Sequence, residues 1–121
     1  MTFKVRNIIL ENEIEDVKVL LNMHGLSYES SSFTIGIYDH DMLIATGSLN
    51  DYVIQMIAVH KDYQGQNLTG FLVNELVKEL IKKGYEKYFL YTKKDQKQVF
   101  LSLGFKVVIE VSDIILFENA W

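Results

Sequence analysis

The stretch Val59-His60-Lys61-Asp62-Tyr63-Gln64-Gly65-Gln66-Asn67-Leu68-Thr69-Gly70 constrains this chain most: an apolar run ends, small and polar residues follow, and an amphipathic helix opens. The first N–H groups of a helix have no partner inside it and together carry positive potential, so such a turn is a candidate anion site. Small residues let a phosphate approach the backbone. One glycine in such a turn is weak evidence by itself, and the plain alternative is an ordinary strand-to-helix connection.

At 121 residues and 49% hydrophobic, the chain suits one domain, residues 1–121, with a core that needs no staples. The absence of cysteine excludes disulfides, thiolate metal sites and a cysteine nucleophile. Met1 to Leu10 lacks the apolar core of a leader and no run reaches bilayer-spanning length, so a soluble, cytoplasmic protein without a membrane partner is expected. The glycosylation pattern at Asn67-Leu68-Thr69 then reads as accidental. A net charge of −4 argues against a nucleic-acid surface, and Lys82-Lys83 and Lys93-Lys94 read as a solvated helix end and loop. His24, His40 and His60 are scattered without partners at ligand spacing, which predicts no metal site.

The patterning predicts a strand over Phe3 to Ile8 and a helix from Glu13 to His24, with Ile14, Val17, Leu20 and Leu21 on its apolar face, Asn12 as its cap and Gly25 at its end. Phe33, Ile35 and Ile37 alternate with Thr34, Gly36 and Tyr38, predicting a half-buried strand that turns at Asp39-His40-Asp41 into a second, Met42 to Leu49. Asn50-Asp51 turns again into Tyr52 to Val59, a core strand apolar on both faces toward its end.

The next helix, Leu68 to Lys83, places Leu68, Phe71, Leu72, Leu76 and Leu80 inward and stops at Gly84. Lys87 to Thr92 predicts a strand returning parallel to the core strand through that helix. Asp95 and Gln98 suggest a capping box on a short helix carrying Val99, Phe100 and Leu103 and ending at Gly104. Val107 to Val111 and Ile114 to Phe117, joined at Ser112-Asp113, predict a last antiparallel pair.

This order, with the glycine-bearing turn after the core strand, resembles the GNAT acetyltransferase superfamily over nearly the whole chain. The resemblance implies an α+β, three-layer acyl-CoA N-acyltransferase fold: a mixed, mostly antiparallel twisted sheet flanked by helices. The family's acyl-CoA signature, Arg or Gln, two residues, Gly, one residue, then Gly or Ala, falls on Gln64, Gly65, Gln66, Asn67, Leu68 and Thr69. Gln64 matches. Asn67 and Thr69 depart, although Asn is the residue after glycine that best tolerates the left-handed region and Thr is still small.

A segment like the family's Tyr-Glu-Lys-Leu-Gly-Phe stands here as Phe100-Leu101-Ser102-Leu103-Gly104-Phe105. The family's phenol commonly protonates the departing CoA thiolate, help that Phe100 cannot give. The core strand also carries no Asp or Glu where a base often sits, leaving Asp51 at its start as the one nearby catalytic candidate. Asp51 equally reads as a plain turn residue.

Within the superfamily, Ala45-Thr46-Gly47-Ser48-Leu49, Ile57-Ala58-Val59, Tyr63-Gln64-Gly65-Gln66-Asn67-Leu68 and Leu90-Tyr91-Thr92-Lys93 resemble the N-terminal domain of the citrate lyase ligases. That family activates acetate with ATP and acetylates the thiol of a dephospho-CoA-derived prosthetic group on the acyl carrier subunit of citrate lyase. Its activating domain carries a His-x-Gly-His motif that is absent here, so the resemblance implies an N-terminal part of a longer ligase or a stand-alone relative, unable to activate acetate by itself.

The resemblance assigns acetyl-CoA or a CoA-like pantetheine group to Ile57, Ala58 and Val59, through backbone pairing where two strands splay. It further assigns that ligand to Gln64, Gly65, Gln66, Asn67, Leu68, Thr69, Gly70 and Phe100. Taken alone, Ile57 and Val59 read as core residues, and Tyr91 and Thr92 face either the acyl pocket or the short helix. Three functions are expected to compete: acetyl transfer to a thiol as in the ligases, N-acetylation of a small amine by a stand-alone enzyme, and a non-catalytic module that docks an acyl carrier protein.

Overall fold

The computed structural model describes residues 3–121; Met1 and Thr2, at the head of the segment read for a leader, lie outside them. In chain order the elements are β1 (Lys4–Asn7), α1 (Glu11–Met23), β2 (Phe33–Asp39), β3 (Met42–Asn50), β4 (Val53–Val59), α2 (Leu68–Lys82), β5 (Phe89–Lys93), α3 (Lys97–Ser102), β6 (Phe105–Val111) and β7 (Ile114–Asn119). Single turns of 3-10 helix at Lys61–Tyr63 and Lys94–Gln96 lead toward α2 and α3.

One seven-stranded sheet runs β1-β2-β3-β4-β5-β7-β6. β4 and β5 are parallel, and every other neighbouring pair is antiparallel. This is the mixed, mostly antiparallel sheet flanked by helices that the family resemblance implies. Helix α2 closes one face of the central strands through Leu68, Leu72, Val73, Leu76 and Leu80, packed with Ile54, Leu90 and Phe117. Helix α1 closes the other through Val17, Leu20 and Leu21, packed with Tyr38, Leu43 and Ala58.

Several local expectations are corrected. Helix α1 starts before Asn12, with Leu10 at the N-cap position, and the Glu13 carboxylate accepts from the N–H groups of Ile9 and Leu10 at 3.4 and 3.3 Å. Arg6 pairs with that buried carboxylate at 2.5 Å, fastening β1 to α1. β2 is buried on both faces rather than half-buried, because α1 and α2 cover opposite sides and Thr34 and Tyr38 are enclosed along with Ile35 and Ile37. Phe71 is 37% exposed, and Val73 takes the inward place expected for it. Asp95 lies in the 3-10 turn and caps nothing; Gln96 is the N-cap of α3, without a side-chain bond. Gly25, with φ +70°, does end α1.

Candidate functional site

The site begins with an irregularity in β4. Met56 has φ +54°, a conformation rare outside glycine, and the register with β3 slips between Thr46 and Ser48. Ile54 and Ile57 both join the α2-side core although two residues separate them, and Met56 packs on the α1 side. One residue is therefore inserted, a β-bulge, and bulges bend the strand that carries them.

The consequence is that β4 and β5 pair only at Val53 with Phe89 and Ile54 with Leu90. Beyond those pairs the strands part, and a cavity of about 900 Å³ opens with Gln55 to Val59 on one wall and Tyr91 to Lys93 on the other. The splay expected from the family likeness thus begins in this chain beside the inserted residue at Met56.

The far end of the cavity is the turn into α2. Gly65 has φ +87° and open space where a Cβ would stand, so the backbone there is bare. Asn67 is the N-cap of α2 at φ +60°, ψ 31°, the left-handed conformation expected of it. Its carbonyl accepts from Phe71 N–H at 3.2 Å, while no acidic residue stands in the first turn of the helix. The Gln64 side-chain amide donates to the Val59 carbonyl at 3.2 Å, tying the turn back to the strand it leaves. A turn of bare backbone before a helix N-terminus with no carboxylate in its first turn is suited to a pyrophosphate.

Of the residues expected to bind, Ile57, Ala58, Val59, Gln64, Gly65, Asn67, Leu68, Thr69 and Phe100 line this cavity, and Gln66 and Gly70 do not. Gly70 sits behind the wall, under the Asn67 side chain. Phe100, 1% exposed, also belongs to an aromatic core with Phe105 and Phe117, at centroid distances of 6.5 and 5.9 Å. Asp51 is not in the cavity. It holds a left-handed turn at φ +53°, its N–H donating to Ser32 Oγ at 3.1 Å, at the end of β4 away from the splay.

Four of the cavity residues that the sequence reading did not assign to the ligand carry polar chemistry into the cavity. Gln55 is the polar residue inside Val53–Val59, a visible signal; its Nε2 is sealed from solvent and has no acceptor among the described residues. Lys93 was expected in a solvated loop, but its ammonium reaches the carbonyls of His24 and Gly25 at 3.1 and 3.4 Å, neutralising the end of α1 from across the cavity. Glu29, on the loop between α1 and β2, lines the same end, and its N–H donates to Met56 Sδ at 3.2 Å.

The fourth, Tyr63, donates its phenol to Asp39 at 2.6 Å, and no local pattern announces a contact between residues so far apart in sequence. That bond holds the Asp39 carboxyl below its usual range, with a second bond from His40 adding to it, and raises the Tyr63 phenol. Among the described residues, no group of three or more His, Asp or Glu is arranged to hold a metal. Among the same described residues, no helix is long and apolar enough to cross a membrane.

A bulged strand splayed from its parallel neighbour, with a bare turn and helix N-terminus at the mouth, defines a domain of the acyl-CoA-dependent transferase class. The chain belongs to the acetyltransferase (GNAT) family, whose model matches residues 11–105. Solved structures agree in fold. An acyl-CoA N-acyltransferase from Pseudomonas aeruginosa superposes with a TM-score of 0.80 at 15% identity, covering 98% of this chain and 100% of that one. The PaiA N-acetyltransferase of Thermoplasma acidophilum, in complex with coenzyme A, gives 0.74 at 15% identity with both chains fully covered, 100% each.

In sequence the chain is similar to citrate (pro-3S)-lyase ligases. That of Haemophilus influenzae is 22% identical over 113 residues, 91% of this chain and 34% of the relative. That of Klebsiella pneumoniae is 28% identical over 108 residues, 88% of this chain and 32% of the relative. The chain spans about a third of the length of these relatives.

Proposed function

We propose that this domain binds acetyl-CoA, or a dephospho-CoA-derived prosthetic group, along the β4–β5 splay and takes part in acetyl transfer to a thiol. The observation that carries the reading is the continuity of the splay with the bare turn at Gly65 and Asn67, one long site with a slot for an extended arm and a seat for a pyrophosphate. The likeness to ligases named for citrate lyase supports the choice of acceptor.

In this reading the free edge of β4 pairs with the amides of the pantetheine arm, as an added strand would. The N–H groups at the head of α2 hold the pyrophosphate. Transfer needs the acceptor sulfur to attack the acetyl carbonyl while the bond from that carbon to the donor sulfur breaks, the acceptor proton ending on the departing thiolate. A thiol titrates near about pH 8.5 and a lysine near about pH 10.4, so a thiol acceptor needs less help from a base. That suits a cavity with Phe100 in place of a phenol and no carboxylate on β4.

A second reading, N-acetylation of a small amine, is favoured by one feature: the Glu29 carboxylate at the acceptor end could receive an ammonium group. Calorimetric titration with acetyl-CoA and with dephospho-CoA separates the cases. Dephospho-CoA binding as tight as acetyl-CoA or tighter supports the thiol reading. Binding of acetyl-CoA alone, followed by amine-dependent release of CoA, supports the second, and binding of neither removes both.

A further inference from the structure

The half-sheet of β5, β7 and β6 is covered on one side only. Phe100, Phe105 and Phe117 fill the side beneath α2 and α3. Register places Tyr91, Leu116 and Ile109 in one row across the other side, and Lys93, Ile114 and Val111 in the next. Helix α1, which lies on that side, packs on β3 and β4. Tyr91 is consequently 49% exposed, Ile109 53% and Val111 60%. Single exposed apolar side chains are ordinary, but contiguous rows of them across three strands mark a contact surface.

Two observations say what fits there. The face runs into the cavity, because Tyr91, Lys93 and Ile114 line both. It also carries three lysines and one carboxylate on a chain of net charge −4: Lys87 and Lys106 share Glu118 at 3.0 and 3.2 Å at one end, and Lys93, its ammonium turned to the carbonyls of His24 and Gly25, stands at the other. A twofold contact between copies of this chain would set one lysine-bearing end against another in either direction.

We infer that this face docks an acidic carrier protein whose pantetheine-type thiol arm enters the β4–β5 cavity. The inference rests on the proposed thiol acceptor and adds where the carrier sits: apolar contact over Ile109, Val111 and Leu116, steered by the lysines at the ends of the face. Ile109 and Lys106 lie outside the cavity, so the surface can be changed without touching the arm site.

The experiment uses the thiol-bearing acyl carrier subunit of a citrate lyase as probe, with Ile109→Asp and Lys106→Glu as variants and dephospho-CoA as a control ligand. Ile109→Asp is expected to weaken carrier binding on the order of tenfold and Lys106→Glu by severalfold, with wild-type affinity falling as salt rises. Dephospho-CoA binding and the circular dichroism melt should stay unchanged. Carrier binding unaffected by either variant, or no carrier binding by a wild-type chain that still binds dephospho-CoA, overturns the docking face and leaves the arm site standing. A wild-type dimer in light scattering that Ile109→Asp splits into monomers also overturns it, in favour of a second copy. Carrier binding without dephospho-CoA binding removes the proposed arm site instead.

Discussion

The Asn67 side chain lies over Gly70 so closely that a Cβ at position 70 would stand 2.7 Å from Asn67 Oδ1. Asn67 needs that room because it holds the left-handed turn at φ +60° and makes no capping bond through its side chain. Its contribution is thus conformational. Asn67→Gly removes the left-handed penalty and no hydrogen bond, so stability by urea denaturation should stay within about 0.5 kcal/mol of wild type. Asn67→Val puts a β-branched residue where the left-handed region is most costly, and should lose about 1–2 kcal/mol and weaken acetyl-CoA binding. Equal stability of the two variants would show that the turn does not depend on this conformation.

Gly65 offers a sharper test of the proposed phosphate seat. Its φ of +87° strains any L residue, but a Cβ there meets nothing within 4 Å. Gly65→Ala and Gly65→Glu should therefore share one conformational cost of about 1–2 kcal/mol, visible as similar falls in melting temperature. They should differ in ligand binding: the alanine variant retains calorimetrically measurable acetyl-CoA affinity, whereas the glutamate, with its charge at the mouth, abolishes it. Similar affinities for both would remove the pyrophosphate from this turn.

How far the sequence foretold this arrangement depended on how local each cause was. The long helix from Leu68, the turn chemistry of Gly65 and Asn67, and the succession of strands are written in periodicity and in residues that tolerate positive φ. The bulge is not, because Met56 is an unexpected residue at φ +54° and nothing in an apolar run marks which residue is extra. The Tyr63 to Asp39 bond and the reach of Lys93 to the end of α1 span 24 and 68 or 69 positions, beyond any pattern read along the chain. Phe71 was misplaced because two rotations of the α2 apolar stripe were compatible with its sequence, and packing against β3 and β4 chose the one containing Val73.

If the splay originates at Met56, its backbone conformation should control ligand binding. Met56→Ile keeps an apolar side chain of similar volume but sets β-branching against φ +54° and deletes the sulfur that accepts from Glu29 N–H. A loss of about 1–2 kcal/mol in stability is expected, together with weaker acetyl-CoA binding as the strand straightens toward β5. Met56→Gly permits the same φ without the side chain, so it should bind acetyl-CoA better than Met56→Ile. Binding in the opposite order would detach the cavity from the bulge.

The Gln55 Nε2, without an acceptor among the described residues, gives a prediction of opposite sign. A sealed donor without an acceptor costs about 1–3 kcal/mol, and a near-isosteric apolar residue avoids that cost. Gln55→Leu should raise the unfolding free energy by about 1 kcal/mol. Gln55→Glu should lower it, since a carboxylate in the same position would have to shed its hydration or take up a proton. Denaturant midpoints at neutral pH check both, and a destabilised leucine variant would mean that Gln55 finds a partner in the folded protein.

The Tyr63–Asp39 bond should appear as a pH signature shared by two groups. Asp39 is held below its ordinary 3.8, first by the Tyr63 hydrogen bond and then by His40, and the Tyr63 phenol is held above its ordinary 10.0, chiefly by Asp39. A depressed carboxyl stabilises the fold above its ordinary value and loses that contribution as pH falls through the lower folded value. A raised phenol does so below its ordinary value and loses it as pH rises through the higher one. Wild type should thus exceed Tyr63→Phe in stability by a constant margin between about pH 4 and pH 10. The margin should shrink at both extremes, and the Asp39 carbon resonance in the variant should titrate at a higher pH than in wild type. The bond joins the 3-10 turn before the proposed phosphate seat to the end of β2, so Tyr63→Phe should also weaken acetyl-CoA binding modestly in that pH window. An unshifted Asp39 resonance would show that the phenol is not its partner in solution.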